Sequence, residues 1–323
     1  MTSRLIIAQD RSPRHPAMMD PWQMAAQWGA GTVLAVLTAT HGPAYRNPGA
    51  TMAIGPDGRF AGAITSGCVE ADIILRAEEV RRTGHPQNLR YGQGSPFFDL
   101  RLPCGGAVEI RLFPLRDPLV LADLARCRAR RQPASLTVSA EGRLSLRDWQ
   151  PTGCDGTDFR LGFRPALRFL VFGTGAEAAA FTGLVRGMDY DHMLLSHEEA
   201  SLAPVRAAGS PTMLIDARFS PERLEADADT AAVLFYHDHD YEPTILRHLV
   251  RTQAFYVGAQ GSRATQAGRL ARLRELGLSD DALARIRGPI GLIPSRRDPG
   301  SLAISVLAEI IGLHGQRTER VKP

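Results

Sequence analysis

The sequence LRFLVFGTGAEA, residues 167–178, contains the pattern that decides the fold. Its apolar run up to Phe172 predicts a buried strand, and apolar residues at helical spacing from Phe181 onward predict a helix after it. Between them, Gly173 and Gly175 belong to a G-x-G-x-x-A turn, which lets a phosphate approach the N-terminus of a helix. The stretch therefore predicts a Rossmann-like parallel sheet in which both glycines are cofactor-binding candidates.

The next predicted strand, residues 192–195, ends without the acidic residue that usually holds the ribose of a nicotinamide nucleotide. Ser196 and His197 occupy that position, and Glu198 comes one residue later. NAD(P) is therefore a doubtful ligand, although an NAD(P)-dependent oxidoreductase stays open as an alternative function.

Two further predicted strands end in candidate binding residues, because ligands of open parallel sheets bind beyond the carboxyl ends of the strands. These candidates are His237, Asp238 and His239 after one strand, and Gly261, Ser262 and Arg263 after the other. The two histidines lack a complete set of metal ligands nearby, so we predict positioning and hydrogen bonding for them. On the helix that follows Arg263, we interpret Arg269, Arg272 and Arg274 as a solvated face.

In the first half of the chain, a cysteine lies where a predicted strand meets a predicted helix. The sequence there is TSGCVEAD, residues 65–72, which places Cys68 between Gly67 and the acidic Glu70. Unpaired N–H groups and the dipole at a helix N-terminus favour an anion and lower the pKa of a thiol. Cys68 is therefore a candidate thiolate, and the alternative is a small buried residue in a tight turn.

Two other loops of the first half carry candidate residues. Arg46, in the Gly- and Pro-rich loop 41–50, is able to form a bidentate contact with an anionic group, or it is simply a solvated loop charge. Cys104 lies in a second glycine-rich turn, residues 103–106. The two thiols either face one pocket or merely pack, and the spacing of Cys68 and Cys104 does not decide between these alternatives.

Composition limits the class of protein. A chain of 323 residues with 44% hydrophobic content fits two domains, which we expect at 1–150 and 165–323 with a linker at 151–164. Charges of both signs are interspersed, so the net charge of +4 predicts no nucleic-acid partner. The chain has no apolar run of membrane-spanning length, and its four cysteines form no CxxC pair, which indicates free thiols in the cytoplasm.

Seven motifs occur in order along nearly the whole chain and together resemble the XdhC/CoxI family. They are GPAYRNPGA (Gly42–Ala50), SGCVE (Ser66–Glu70), PCGG (Pro103–Gly106), VFGTG (Val171–Gly175), YHDHD (Tyr236–Asp240), YVGAQGSR (Tyr256–Arg263) and PIGL (Pro289–Leu292).

The resemblance implies an α/β protein, with an N-terminal XdhC/CoxI-type domain followed by a Rossmann-like, doubly wound parallel-sheet domain. It also implies an accessory protein rather than an enzyme, one that binds the molybdenum cofactor (molybdopterin) and protects it while its terminal sulfur is installed. The implied recipient is an apo molybdenum hydroxylase of the xanthine dehydrogenase or carbon monoxide dehydrogenase type. A cysteine desulfurase and a second copy of the chain in a homodimer are the other expected partners.

The resemblance also implies roles for particular residues. Cys68 and Glu70 match the central motif of the family, and Cys104 matches its second cysteine. The implied site has Cys68 and Cys104 at the molybdenum, with Arg46 and the glycine turns at the pterin phosphate. The chain departs from the family pattern at Ala176, where members commonly have histidine. A transferase that moves sulfur through a persulfide on Cys68 stays open as a further alternative.

Overall fold

The computed structural model describes residues 15–67, 69–95, 105–215, 224–236, 241–294 and 298–319. The described residues divide into two compact units, residues 15–165 (the first unit) and residues 166–319 (the second unit). Cys68, Cys104 and residues 237–239 lie outside the described residues, so the roles predicted for them stay predictions. Among the described residues, none of the helices combines the length and apolar character needed to cross a bilayer.

An antiparallel sheet forms the centre of the first unit. Its strands are β1 (Val33–His41), β2 (Thr51–Ile54), β3 (Phe60–Gly62), β4 (Gln87–Gly92) and β5 (Ala107–Pro114). The spatial order is β3-β2-β1-β5-β4, so β1 is the central strand. Strands β2 and β3 form a hairpin around the turn at Asp57-Gly58, with Met52 opposite Gly62.

The central strand supplies both cores of the first unit, because successive side chains of a strand point to opposite faces. Val33, Ala35 and Leu37 pack on one face with α2. Leu34 and Val36 pack on the other face against a layer that includes α1 and α3. The helices of this unit are α1 (Pro21–Trp28), α2 (Glu70–Thr83) and α3 (Leu119–Ala129).

A second antiparallel sheet completes that layer. Its strands are β6 (Ala134–Val138), β7 (Leu144–Arg147), β8 (Gly153–Asp155) and β9 (Asp158–Phe163), in the order β7-β6-β9-β8. The prediction of a linker at 151–164 is therefore wrong, because this segment contains two paired strands. Phe159 and Leu161 alternate into the core and are 1% and 3% exposed, although the surrounding glycines and polar residues are typical of a loop.

A parallel sheet forms the centre of the second unit. Its strands are β10 (Arg168–Gly173), β11 (Asp191–Ser196), β12 (Thr212–Leu214), β13 (Thr230–Phe235), β14 (Tyr256–Ala259) and β15 (Ile286–Arg287). The spatial order is β12-β11-β10-β13-β14-β15, and every neighbouring pair is parallel. This is the doubly wound, Rossmann-like order that the sequence predicted, with the strand order reversing between β10 and β13.

Helices cover both faces of the parallel sheet. They are α4 (Gly175–Gly187), α5 (Glu199–Ala207), α6 (Glu242–Leu249), α7 (Arg263–Glu275), α8 (Asp280–Ala284) and α9 (Pro299–Glu319). One face packs against α4, α5 and α9 around Phe181 and Ile310. The other face packs against α6, α7 and α8 around Leu246 and Leu273. Two buried faces explain why the strands read as continuous apolar runs.

Candidate functional site

The segments that carry the predicted site residues of the first unit leave its central sheet at one end, which we call the loop end. Strands β1 and β4 end there and β5 begins there, because His41 and Gly92 are both register partners of Ala107. Strand β2 begins and β3 ends at the same end, since Thr51 pairs with Val36 in the antiparallel register. The loop end therefore gathers loop 42–50, loop 63–69 and the residues that precede β5.

Main-chain contacts bring loop 42–50 against the residues that precede β5. A Cβ on Gly106 would lie 2.1 Å from the carbonyl oxygen of Pro43, and a Cβ on Gly92 would lie 2.1 Å from that of Gly106. Only glycine permits backbones to approach this closely. Gly106 of the PCGG motif thus allows this segment to touch Pro43 of the GPAYRNPGA motif.

Arg46 is exposed at the loop end, so its guanidinium is accessible to an anionic group. Arg90, a cation on β4, is already engaged, because its Nη1 lies 2.7 Å from Oε1 of Glu109. His41 Nε2 lies 2.9 Å from the same carboxylate oxygen. Arg46 is therefore better placed than Arg90 to serve as an anion contact.

The carboxylate of Glu70, the first residue of α2, is hydrogen-bonded to described residues of loop 63–69. The residue is only 8% exposed. Its carboxylate accepts hydrogen bonds from Thr65 N (2.6 Å), Thr65 Oγ1 (2.7 Å), Ile64 N (3.2 Å) and Val69 N (3.2 Å). Burial opposes ionisation of this carboxyl, but the hydrogen bonds outweigh it and hold the pKa of Glu70 below its ordinary value of 4.5. Glu70 therefore positions Ile64, Thr65 and Val69, which are described residues on either side of Cys68 in the sequence.

Replacing Glu70 with glutamine is expected to lower the free energy of unfolding by about 2 kcal/mol at pH 7, because an amide cannot accept all of these hydrogen bonds. The stabilisation by Glu70 is present above the ordinary pKa of 4.5 and is lost as the pH falls through the lower folded-state pKa. Urea denaturation at pH 7 and at acidic pH measures both effects. The matched control is Glu79→Gln, an exposed carboxylate on the same helix. Equal costs for the two variants would contradict this role.

The first turn of α2 is also tied to the sheet. The hydroxyl of Tyr91, at the end of β4, donates to Oδ2 of Asp72 at 2.6 Å. Burial and the Asp72 carboxylate raise the pKa of Tyr91, so the hydroxyl stays a donor at neutral pH. These contacts fix the N-terminus of α2 at the loop end.

In the second unit, the first glycine turn has the shape of a nucleotide-binding turn but not its electrostatics. A Cβ on Gly173 would lie 2.5 Å from the carbonyl oxygen of Phe235, so the turn packs tightly beside β13. The Gly175 N–H donates to Oγ of Ser201 at 3.2 Å, and this hydroxyl donates to Glu198 at 3.0 Å. A carboxylate linked to the N-terminus of α4 through a single hydroxyl disfavours a phosphate there.

Strand β11 ends at Ser196 rather than at the acidic residue that usually holds the ribose hydroxyls. Ser196 is fully buried, and its Oγ accepts a hydrogen bond from Glu198 N at 3.2 Å. The residues of this crevice therefore do not fit NAD(P) in the usual way.

The second glycine turn, residues 258–263, forms the N-terminal cap of α7. Ser262 is the N-cap of α7, and its Oγ accepts a hydrogen bond from Thr265 N at 3.1 Å. A Cβ on Gly261 would lie 2.8 Å from Cγ2 of Thr265, so glycine is required beside the cap. Arg263 is exposed as the first residue of α7.

The interpretation of Arg269 as a solvated residue is wrong. Its side chain is 4% exposed, and its Nε lies 2.9 Å from Oε2 of Glu242, whose side chain is 2% exposed. Arg269 Nη2 also donates to the carbonyl of Gln260 at 2.6 Å. The buried pair joins α6 to α7 and holds the end of β14. The helical spacing of Arg269 did not predict this ion pair, because Glu242 lies 27 residues earlier in the chain.

Within the described part of the chain, no group of three or more His, Cys, Asp or Glu side chains is arranged to hold a metal ion. The two residues predicted to meet molybdenum, Cys68 and Cys104, lie outside that part. Their described neighbours Gly67, Val69 and Gly105 belong to segments of the loop end.

Comparison with known proteins identifies the family. The model of the XdhC and CoxI family matches residues 25–92, and the model of the XdhC Rossmann domain matches residues 169–310. The molybdenum cofactor insertion chaperone PaoD of Escherichia coli strain K12 is 34% identical over 299 residues, which cover 91% of this chain and 88% of PaoD. The chain belongs to the XdhC and CoxI family.

Two more similarities agree with this membership. A probable xanthine dehydrogenase subunit of Bacillus subtilis strain 168 is 24% identical, over 86% of this chain and 92% of that protein. A crystal structure described as a xanthine dehydrogenase from Bacillus halodurans has the same fold, with a TM-score of 0.73 and 20% identity over 93% of this chain and 97% of that one. The predicted family and fold class are thus confirmed.

The family models cover both candidate regions of this XdhC and CoxI family member. Residues 25–92 include Arg46, Gly67 and Glu70 of the loop end. Residues 169–310 include the carboxyl ends of the parallel strands. The motifs YHDHD and YVGAQGSR lie at two of these ends, because their residues Tyr236 and Gln260 directly follow β13 and β14.

Proposed function

We propose that this chain binds the molybdenum cofactor as cargo and inserts it into an apo molybdenum hydroxylase of the xanthine dehydrogenase or carbon monoxide dehydrogenase type. The observation that carries this proposal is the 34% identity with PaoD, a molybdenum cofactor insertion chaperone, over 91% of the chain. A similarity of this extent includes both units, so the proposal concerns the whole chain.

The geometry of the loop end supports a cargo site in the first unit. Cys68 lies two residues before the first residue of α2, and helix N-termini favour a thiolate. Thiolates are soft ligands that suit molybdenum. We assign the molybdenum end of the cargo to Cys68, with Cys104 as its second sulfur ligand. Arg46, exposed on the adjoining loop, is assigned to the phosphate of the pterin.

Sulfuration of the cargo is part of the proposal. A carrier that leaves the molybdenum accessible at its loop end is able to hold the cofactor while a cysteine desulfurase supplies the terminal sulfur. Delivery to the apoenzyme then follows, and we propose that the carrier acts as a homodimer.

A transfer assay tests the proposed function. The chain is loaded with cofactor released from a donor enzyme, mixed with an apo molybdenum hydroxylase, and the recovered hydroxylase activity is compared with that from the same amount of free cofactor. We expect faster and more complete recovery from the loaded chain, above all after exposure to air. Equal recovery from free cofactor and from the loaded chain would contradict an insertion role.

A further inference from the structure

The helix α9 and the turn before it expose apolar side chains to solvent. The inner face of α9 packs against the parallel sheet. Four large apolar side chains that point away from this core are 40–63% exposed: Leu292, Ile293, Ile304 and Ile311. The turn is held against α9, because Leu292 N donates to the carbonyl of Ser305 at 3.3 Å and Ile293 N donates to its Oγ at 2.8 Å. Exposed apolar patches of this kind mark interaction surfaces.

The outer face of α9 is uncharged. The residues that form this face are all exposed: Ile304, Ala308, Ile311 and Gly312. The neighbouring acidic residue of α9, Glu309, is turned toward the sheet, where its carboxylate accepts hydrogen bonds from the Tyr256 hydroxyl at 3.1 Å and from Gly291 N at 2.6 Å. Interfaces of homodimers are more apolar than other interfaces, and their cores are depleted of charge. The character of the outer face therefore favours a second copy of the chain over a charged partner.

The outer face of α9 also has a shape that complements itself. Ile304 and Gly312 lie four residues before and four residues after Ala308, so the three share one side of the helix. A Cβ on Gly312 would meet nothing within 4 Å, so the packing of the chain itself does not require glycine there. Glycine inside a helix costs about 1 kcal/mol relative to alanine. A protruding isoleucine and an open position at equal distances from Ala308 match when two such helices lie antiparallel.

We propose that two copies of the chain pair through the outer face of α9, antiparallel about a two-fold axis at Ala308. Ile304 then lies over Gly312 of the partner subunit, and symmetry repeats this contact. Rows of residues four apart interdigitate in the commonest class of helix packing, and a small residue at the crossing lets the two helices approach closely. The proposal rests on the homodimeric carrier of the proposed function and assigns the interface of that dimer.

Sedimentation velocity of the cofactor-free full chain, from about 1 to 100 µM, tests this interface. We expect a dimer that dissociates on dilution, because one helix pair buries less than the roughly 1,600 Å² of a standard interface. Ile304→Asp should weaken dimerisation at least about hundredfold, since symmetry buries two unpaired carboxylates. The matched control is Leu75→Asp, which replaces a 70% exposed leucine on α2 and should leave dimerisation unchanged. Because no cofactor is present, failure here does not bear on cofactor carriage.

Ala308→Cys tests the position of the axis. Residues on a two-fold axis bring the introduced thiols within the roughly 4.4–6.8 Å Cα separation of disulfides, so oxidation by diamide should link the two copies. The matched control is Ala264→Cys, at an exposed position of α7, and it should give no more linked dimer than the wild-type chain. A chain that is monomeric at every concentration, unchanged dimerisation of Ile304→Asp, or equal linkage of the two cysteine variants would each overturn the proposal.

Discussion

Replacing Cys68 with serine is expected to reduce the molybdenum retained by the chain at least tenfold. The reason is chemical, because a serine hydroxyl stays protonated and hard where a thiolate beside a helix N-terminus is anionic and soft. Molybdenum is measured by mass spectrometry on the protein fraction after removal of free cofactor. Cys104→Ser, measured in parallel, is expected to reduce retention in the same way.

Cys154→Ser is the matched control for Cys68→Ser. Cys154 is an exposed free cysteine on β8, in the same unit, and its replacement should leave retention unchanged. Retention by Cys68→Ser equal to that by Cys154→Ser would show that Cys68 does not hold the molybdenum.

Replacing Arg269 with methionine is expected to lower the free energy of unfolding by about 3–5 kcal/mol, since the buried carboxylate of Glu242 then loses its buried cationic partner. Both side chains of the pair are nearly inaccessible, at 4% and 2% exposed. Urea denaturation of the full chain, followed by the fluorescence of its aromatic residues, measures the change.

Two further variants separate pairing from packing. Arg274→Met breaks an ion pair with Asp280 whose side chains are 60% and 83% exposed, and it should cost less than about 1 kcal/mol. The double variant Glu242→Leu with Arg269→Met should recover much of the lost stability, because it removes the buried carboxylate together with the buried guanidinium. A double variant as unstable as Arg269→Met alone would mean that lost packing, not the lost ion pair, sets the cost.

The architecture of the second unit was predictable because its signals are local. Strands β10 and β13 are buried on both faces and read as apolar runs, and Gly173 marks the turn into α4. The order of elements then leaves few topologies, since parallel crossovers are short and right-handed. The same local rules failed for residues 151–164, because their glycines are typical of a loop. These residues nevertheless form β8 and β9, which are stabilised by pairing with each other in the sheet.

The candidate residues could be identified from the sequence, but their proximity in the fold could not. Arg46, Gly67 and Gly105 are separated by tens of residues, and only the order β3-β2-β1-β5-β4 brings their loops to one end of the sheet. The hydrogen bonds of Glu70 were equally hidden, because their donors in Thr65 precede Glu70 in the chain and belong to no periodic pattern. Periodicity identifies elements, whereas sites depend on which strand ends become neighbours.

Co-elution of molybdenum and pterin with the wild-type chain tests cofactor carriage most directly. The purified chain is incubated with molybdenum cofactor released from a donor enzyme and separated from free ligand by gel filtration. Molybdenum and oxidised pterin fluorescence are then quantified in the protein peak. A cofactor carrier retains both in equal molar amounts, and this is the result that we expect for the chain. A protein peak that contains neither would contradict cofactor carriage.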